Sequence, residues 1–452
     1  MPHDPQFSIE RLTLDGVEKV PAEAVSPGLK RGEIFVARHC LQAAGVFDKL
    51  YAMILESIEE VAGAQARAAA QTQGLRRLHE IITVPQLLAL NPVITKRVRG
   101  MAAEVTTAVA EKQLGLGPDV YFEDGPNVRI FCPQDFTVEN RAAFEGFRKT
   151  VGAGRLTTHG PHQDDRHFHP IGSINIWCAF DRVEVGNGMT VYPDFYGHML
   201  PCITVDGNIQ TNQVLGRPIT TAMDAGDAWI FETLQVHGST INQTPDTRFV
   251  ISFRVVCGTP EFRSKTWYSY VRPSDCSAEG PPDVAIDYSE LPSRGPTTVD
   301  TSGHLPETVV SVAREDGALD INGGMVPEGE IRPVNASLCV ARVEGNPVAF
   351  LRGCPHEGAD LAGGSVCEGR IVCPWHGLHM NIDDGRSGCR TVGPLKLVPC
   401  TEAEGVITIP PMPGRAATGK YPRPPAPPEK KVGIVRRVAR RARTLARQAL
   451  GQ

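Results

Sequence analysis

Two groups of residues in this chain have types and spacings suited to holding metal. The first is Cys354, His356, Cys373 and His376, in RGCPHEGADL and RIVCPWHGLHM, with sixteen residues between His356 and Cys373. Each half offers one soft thiolate and one imidazole from a tight loop, and Gly358 and Gly377 leave room for backbone amides beside bound sulfur. A structural Cys2His2 zinc site uses the same donors, but it pairs cysteine with cysteine and histidine with histidine, so the interleaved order fits it badly. The second group is His162 and Asp164, two apart in PHQDD, with a distant His237. On a strand, residues two apart share a face, so H-x-D aims an imidazole and a carboxylate at one point. A second histidine completes the two-histidine, one-carboxylate set of non-haem Fe(II) sites, which leaves positions open for reactants. Arg248 follows His237 by eleven residues, and Arg254 shares its strand parity. A guanidinium pairs bidentately with a carboxylate and keeps its charge. Asp165 would face away from His162, and of His159, His162, His167 and His169 most must be non-ligands.

The first pattern resembles the Rieske [2Fe–2S] motif. In that family two cysteines hold one iron and two histidines the other, which raises the reduction potential. The likeness extends to Cys-Pro-Trp-His-Gly in the second loop and to the strand-like run VPEGEIRPVNASLCVARVEGNPVAFL before the first. Where respiratory members carry a disulfide, this chain has Ala359 and Trp375, so it resembles the oxygenase or soluble-ferredoxin kind. The second pattern, with Arg248 and its β-rich surroundings over about residues 30–260, resembles the phytanoyl-CoA dioxygenase branch of the Fe(II)/2-oxoglutarate oxygenases. The segment Gly186–His198 is similar to that family's NG-x-L…PGSH stretch, although PDFYGH replaces PGSH. The resemblance implies that His162, Asp164 and His237 bind a mononuclear Fe(II), and that Arg248 holds the distal carboxylate of the cosubstrate 2-oxoglutarate, with Arg254 the alternative. It also implies Cys354, His356, Cys373 and His376 as the cluster ligands. The family's halogenases have Gly or Ala at the carboxylate position, so Asp164 points to hydroxylation.

These residues need elements to position them. The length of 452 residues suits two or three domains at ~100–200 residues each. The expected fold is mainly β with N-terminal helices: a double-stranded β-helix (jelly-roll) oxygenase domain over 1–273, a linker over 274–306, and a Rieske antiparallel β-domain over 307–410. Phe47, Leu50, Ile54, Ile58 and Val61 lie at helical spacing, and Asn91-Pro92 predicts the start of a second helix, so residues to about Leu116 are expected to be mainly helical. Beyond them the runs YFEDGPNVRIFCP, SINIWCAF, GNGMTVYP, DAWIFETLQV and TRFVISFRVV predict strands. Cys339, Cys367, Cys389 and Cys400 are expected as buried thiols. Residues 411–431 form a proline-rich linker, and 432–452 a basic amphipathic tail suited to an anionic membrane surface or an acidic partner.

Twelve cysteines in this length do not make a disulfide scaffold, and the start MPHDPQFSIERL has no export-signal character. A cytoplasmic location is expected, with peripheral contact at the inner membrane face through the tail. No nucleic-acid recognition module accompanies the basic charge. The expected activity is 2-oxoglutarate-dependent hydroxylation of a small organic metabolite with O2, the fused cluster supplying electrons to the mononuclear iron. Those electrons would come from an NAD(P)H-dependent reductase or a ferredoxin. Two other readings stay open: a reductase-driven oxygenase that needs no 2-oxoglutarate, and an electron carrier with a non-catalytic jelly-roll. Iron analysis separates the last from the others, since a carrier holds about two irons per chain and the hybrid oxygenase about three.

Overall fold

The computed structural model describes residues 6–145, 158–164, 169–198, 200, 208–209, 213, 215–262, 269–277, 280–282 and 308–411. The apolar spacing at the first expected helix produces one over Phe47–Ala62, with Leu50, Ile54 and Ile58 buried, ending at Gly63 with φ +90. The second begins earlier than Asn91-Pro92 suggests. Thr83 and Gln86 form a capping box, Pro85 occupies the first turn, and the helix runs Val84–Val105 with Pro92 inside it. Asn91 does not cap; its buried amide donates to the carbonyl of Val128 at 2.9 Å, tying this helix to the sheet beneath.

The first forty residues are not mainly helical. Strands β1 (Ser8–Thr13) and β2 (Gly16–Val20) form a hairpin, and β3 (Ile34–Arg38) pairs with β1. Ile9 and Leu12 of SIERLT are buried on opposite faces of the sheet, so this short strand shows no apolar–polar alternation in the sequence. The expected β-runs are β4 (Val120–Glu123), β5 (Asn127–Phe131), β6 (Ile174–Ala179), β7 (Met189–Tyr192), β8 (Ala228–Glu232), β9 (Val236–Ser239) and β10 (Arg248–Cys257), with β11 (Tyr270–Val271) after them. DAWIFETLQV is two strands, not one. It breaks after Glu232, and β9 leaves for a second sheet.

The large antiparallel sheet has the order β11-β4-β10-β6-β8-β3-β1-β2, with β5 also on β10. Strand alternation sorts its two faces. Phe249, Ile251, Phe253 and Val255 of β10 join Ile174, Ile176 and Cys178 of β6 in the core shared with the helices. Arg248, Val250, Ser252 and Arg254 take the opposite parity, with Asn175 and Trp177 of β6, toward the small sheet of β7 and β9. This two-sheet arrangement is the expected jelly-roll.

The C-terminal module is three small antiparallel sheets. Leu338–Val343 and Asn346–Leu351 form the central hairpin. Cys354 and His356 follow that hairpin, and Cys373 and His376 lie between strands Arg370–Val372 and His379–Asn381. Cys339 and Cys389 are buried as expected, but Cys367 and Cys400 are only half-buried. Met1–Pro411 form one compact unit, so the two modules are packed together. Ile241 is buried within the core of the C-terminal module, and the Gln243 amide donates to Gly377 O while its carbonyl oxygen accepts from His379 N, both at 3.0 Å. Of the expected linker, 283–306 lie outside the described residues, as do nearly all of the proline-rich linker and the whole basic tail. Among the described residues, no helix is long and apolar enough to cross a membrane.

Asp135 is the polar latch of this packing. Its carboxylate accepts from Thr391 N at 2.8 Å, Thr391 Oγ1 at 2.6 Å, Arg390 N at 3.0 Å and Arg390 Nε at 3.2 Å. Burial pushes its pKa up, but these donors, Thr391 first, outweigh burial and hold it below the usual carboxylate range. Asp135→Ala should cost about 0.5–1.5 kcal/mol in denaturant unfolding, the net worth of hydrogen bonds whose donors water can reach once the carboxylate is gone. A depressed folded pKa stabilises above the unfolded value and is lost as pH falls through the folded one. The wild-type and D135A stabilities should therefore converge in acid.

Candidate metal centres

The break after β8 carries His237 across the sandwich. Its backbone pairs with His162: His162 N donates to His237 O at 2.8 Å, and His237 N to His162 O at 3.0 Å. H-x-D is therefore held by this single bridge and a turn at Asp164, rather than by the regular strand that its spacing suggested. His162 Nδ1 lies 2.8 Å from the carbonyl of Gly160, and His237 Nδ1 lies 2.9 Å from that of Gln235. With Nδ1 engaged, each ring presents Nε2 as its lone-pair nitrogen. These nitrogens lie 3.4 and 3.8 Å from Asp164 Oδ1, and the three donors fall within 4.8 Å of one another.

The other oxygen of Asp164 is occupied. Asn175 Nδ2 donates to Oδ2 at 2.8 Å and Arg254 Nε at 2.9 Å, while Arg254 Nη1 donates to Glu123 at 3.0 Å. Burial would raise the Asp164 pKa, but the Arg254 charge, followed by His237 and the His162 hydrogen bond, holds it well below the usual carboxylate range. Burial, then His162, pushes His237 down to about 3. A carboxylate kept ionised beside a neutral imidazole is the protonation state that a divalent metal needs. The donor set fits a non-haem iron.

Arg254, the alternative anchor for an acidic cosubstrate, is thus committed to Asp164 and Glu123. Arg248 is fully buried. Nη1 donates to the carbonyls of Asn187 and Gly188, Nη2 to Ser239 Oγ at 3.1 Å, and its guanidinium lies 4.0 Å over the Phe131 ring. Among the described residues no carboxylate reaches it. Burial and then the neighbouring Arg129 charge drive its pKa well below the arginine range. A small cleft opens beside His162 and His237, lined by Arg129, Trp177, Met189, Phe231, Ser239 and Ser252 among others. Ser239 is the residue through which Arg248 touches this cleft. His159 packs on His162 with ring centroids 4.0 Å apart, and His169 Nδ1 sits 3.1 Å from Tyr270 Oη; neither belongs to the donor group. Asp165 and His167 lie outside the described residues.

The C-terminal loops are built alike. Cys354 N donates to Ala359 O at 2.9 Å and Cys373 N to Leu378 O at 3.0 Å. Gly358 N and Gly377 N return to the cysteine carbonyls at 2.9 and 3.1 Å. Both glycines need left-handed backbone, with φ +74 and +59. His356 Nδ1 and His376 Nδ1 face each other at 3.2 Å, and the thiols of Cys354 and Cys373 share a hydrogen bond. Backbone N–H groups of Trp375 and His376 also donate to the Cys373 sulfur. His376 is buried and its pKa pushed to about 3 by burial, whereas His356 is partly open at 15% side-chain exposure. Two thiols and two converging Nδ1 atoms fit a [2Fe–2S] cluster with mixed ligation.

Sequence reasoning missed Asn175, Glu123, Arg129 and Ser239. Asn175 and Arg129 did carry a signal, each being a polar residue on the inward parity of an otherwise apolar strand. Glu123 and Ser239 are the last residues of their strands and carried none.

Residues 129–250 match the family model for phytanoyl-CoA dioxygenase, and 287–400 match that for the Rieske [2Fe–2S] domain. The chain is 39% identical over 70 residues to a vanillate O-demethylase oxygenase subunit from Pseudomonas sp. (strain ATCC 19151), covering 15% of this chain and 21% of that one. It is 36% identical over 72 residues to chlorophyllide a oxygenase, chloroplastic, from Chlamydomonas reinhardtii, covering 15% and 11%. The chain thus spans well under two thirds of these curated relatives. Among solved structures, the non-heme alpha ketoglutarate dependent epimerase SnoN from nogalamycin biosynthesis is 16% identical with a TM-score of 0.29, over 62% of this chain and 96% of that one.

Removing a group that orients a metal ligand should weaken binding without removing a donor. Asn175→Ala is expected to lower metal affinity of the His162–Asp164–His237 site by about 10- to 100-fold, measured by competition titration with Co(II).

Proposed function

Because a phytanoyl-CoA dioxygenase domain and a Rieske [2Fe–2S] domain share this chain, we propose that it is a 2-oxoglutarate-dependent oxygenase that hydroxylates a C–H bond of a small organic metabolite. His162, Asp164 and His237 hold the mononuclear Fe(II), and Cys354, His356, Cys373 and His376 hold the cluster. Iron at the first site supplies dioxygen activation, which no side chain can provide.

The observation that carries the cosubstrate is Arg248. A buried guanidinium beside the like charge of Arg129, which no carboxylate reaches among the described residues, is costly unless an anion joins it. The distal carboxylate of 2-oxoglutarate answers that need at the Ser239 end of the cleft, while its keto-acid end points toward the iron ligands. Arg129 lines the same wall and adds to the attraction. Arg254 has a different task, holding Asp164 ionised and its free oxygen aimed inward. Trp177, Met189 and Phe231 give the cleft an apolar wall that excludes water from the reacting centre.

The overall change balances as substrate C–H plus O2 plus 2-oxoglutarate giving C–OH, succinate and CO2. The cosubstrate provides both electrons, so a coupled turnover draws none from the cluster. The cluster's part is to return a mononuclear site lost to the ferric state to the ferrous one.

Three measurements check this reading. Oxygen uptake by the iron-loaded protein should require 2-oxoglutarate and yield one succinate per O2; uptake driven by a reductase without succinate would overturn it. Arg248→Lys should weaken 2-oxoglutarate binding by about ten- to a hundredfold, the value of a charged hydrogen bond, with Arg129→Gln less damaging. Cys354→Ser and Cys373→Ser should leave the initial rate intact and shorten the time before inactivation.

A further inference from the structure

The aromatic side chain of Trp375 lies in the seam between the two centres. Trp375 stands beside His376 in sequence, and its ring stacks on that imidazole with centroids 4.6 Å apart and planes 23° from parallel. The opposite edge of the indole rests on Gly160 of the oxygenase domain. A methyl group added at Gly160 would lie 2.8 Å from Nε1 and 3.0 Å from Cδ1 of Trp375. Gly160 has no positive φ, so the approach of the indole, not backbone conformation, requires glycine there. Its carbonyl is the one engaged by His162 Nδ1 at 2.8 Å. The indole Nε1 is buried with no hydrogen-bond partner among the described residues, so a polar tether does not explain the side chain. Tyr192 Oη, 3.4 Å from Pro374 O, steadies the preceding residue.

A second link exists, from Ile241 N to His376 O at 2.7 Å, but it reaches His237 only along four further residues of backbone. The Trp375 link needs one ring stack, one van der Waals contact and one hydrogen bond to join a cluster histidine to an iron-site histidine. It is the shorter path.

We propose that Trp375 and Gly160 form an electron bridge inside this chain, so that the cluster and the mononuclear site of the same polypeptide exchange electrons without a second subunit. One electron leaves the reduced cluster, which is oxidised, and the ferric mononuclear site is reduced to ferrous. No bond forms or breaks and no proton is transferred between the centres. The cluster is itself recharged by a one-electron donor of the ferredoxin or flavin class. This rests on the two centres proposed above; what it adds is the path and its confinement to one chain.

The test uses the full-length holoprotein under anaerobic conditions, without 2-oxoglutarate or substrate. The mononuclear site is set ferric, the cluster is reduced with substoichiometric dithionite, and freeze-quench EPR follows both signals. The wild-type rate should be independent of protein concentration. Trp375→Leu should slow transfer by about tenfold or more, equal to a barrier rise of about 1.4 kcal/mol, with the cluster's EPR spectrum and midpoint potential kept. Trp375→Phe should retain most of the rate, and Gly160→Val, which pushes the indole away, should slow it as W375L does. If G160V does not fold, the contrast between W375L and W375F still decides. An unchanged rate in W375L, or equal slowing in W375L and W375F accompanied by a shifted potential, overturns the bridge. No transfer in the wild type sinks instead the cluster's role as donor.

Discussion

Asp164 is a carboxylate at 1% exposure, and much of the oxygenase domain is arranged around keeping it charged. Leaving an ionised group out of water is expensive unless it is paired and hydrogen-bonded. Arg254 and Asn175 meet that demand on one oxygen, which is why the other can be turned toward the imidazoles of His162 and His237. Glu123 also accepts from Arg254, close to the two Nε2 atoms. A few residues away lies Arg248, a fully buried guanidinium that no carboxylate reaches among the described residues. A cation held by the first group and an acidic molecule reaching the second would suit both, and the strands β6 and β10 supply partners for each from one face of one sheet.

How much of this was readable beforehand differs by kind of feature. The candidate ligands were legible because coordination chemistry constrains both residue type and spacing: His162, Asp164 and His237 lie close enough to share one ion, and His356 faces His376 across the two loops. The strands of the jelly-roll were legible wherever they were long and apolar, as at β6 and β10. What escaped were features decided by tertiary context. Pro92 looked like a helix start, but Thr83 and Gln86 cap the helix a full two turns earlier. The N-terminal hairpin is too short to show a period, and it is stabilised by pairing along β3, which lies beside it only in the folded sheet. Arg248 and Arg254 were indistinguishable by parity; only Asp164, brought close through a turn, separates them.

The packing of the two modules also follows from ordinary requirements. Residues Thr240 to Gln243, which continue from β9, serve as an extra layer of the C-terminal module: Ile241 enters its core, and Gln243 satisfies Gly377 and His379. The same stretch of chain that ends the iron-binding strand therefore begins the contact with the cluster loops. Next to it, Gln134 N donates to Asn242 O at 2.9 Å, and Asp135 extends the contact by binding successive amides at Arg390 and Thr391.

Gly377 gives that packing a direction. The loop requires it for its left-handed backbone, and a methyl group there would lie 2.8 Å from Thr240 Cγ2, so the face of the loop that carries His376 is already spoken for within the molecule. His356, on the sister loop, keeps an open edge. Two imidazoles that are chemically interchangeable thus acquire different neighbours, one turned to the interior and one to the solvent. A cofactor held by these two loops would therefore have one covered side and one more open side.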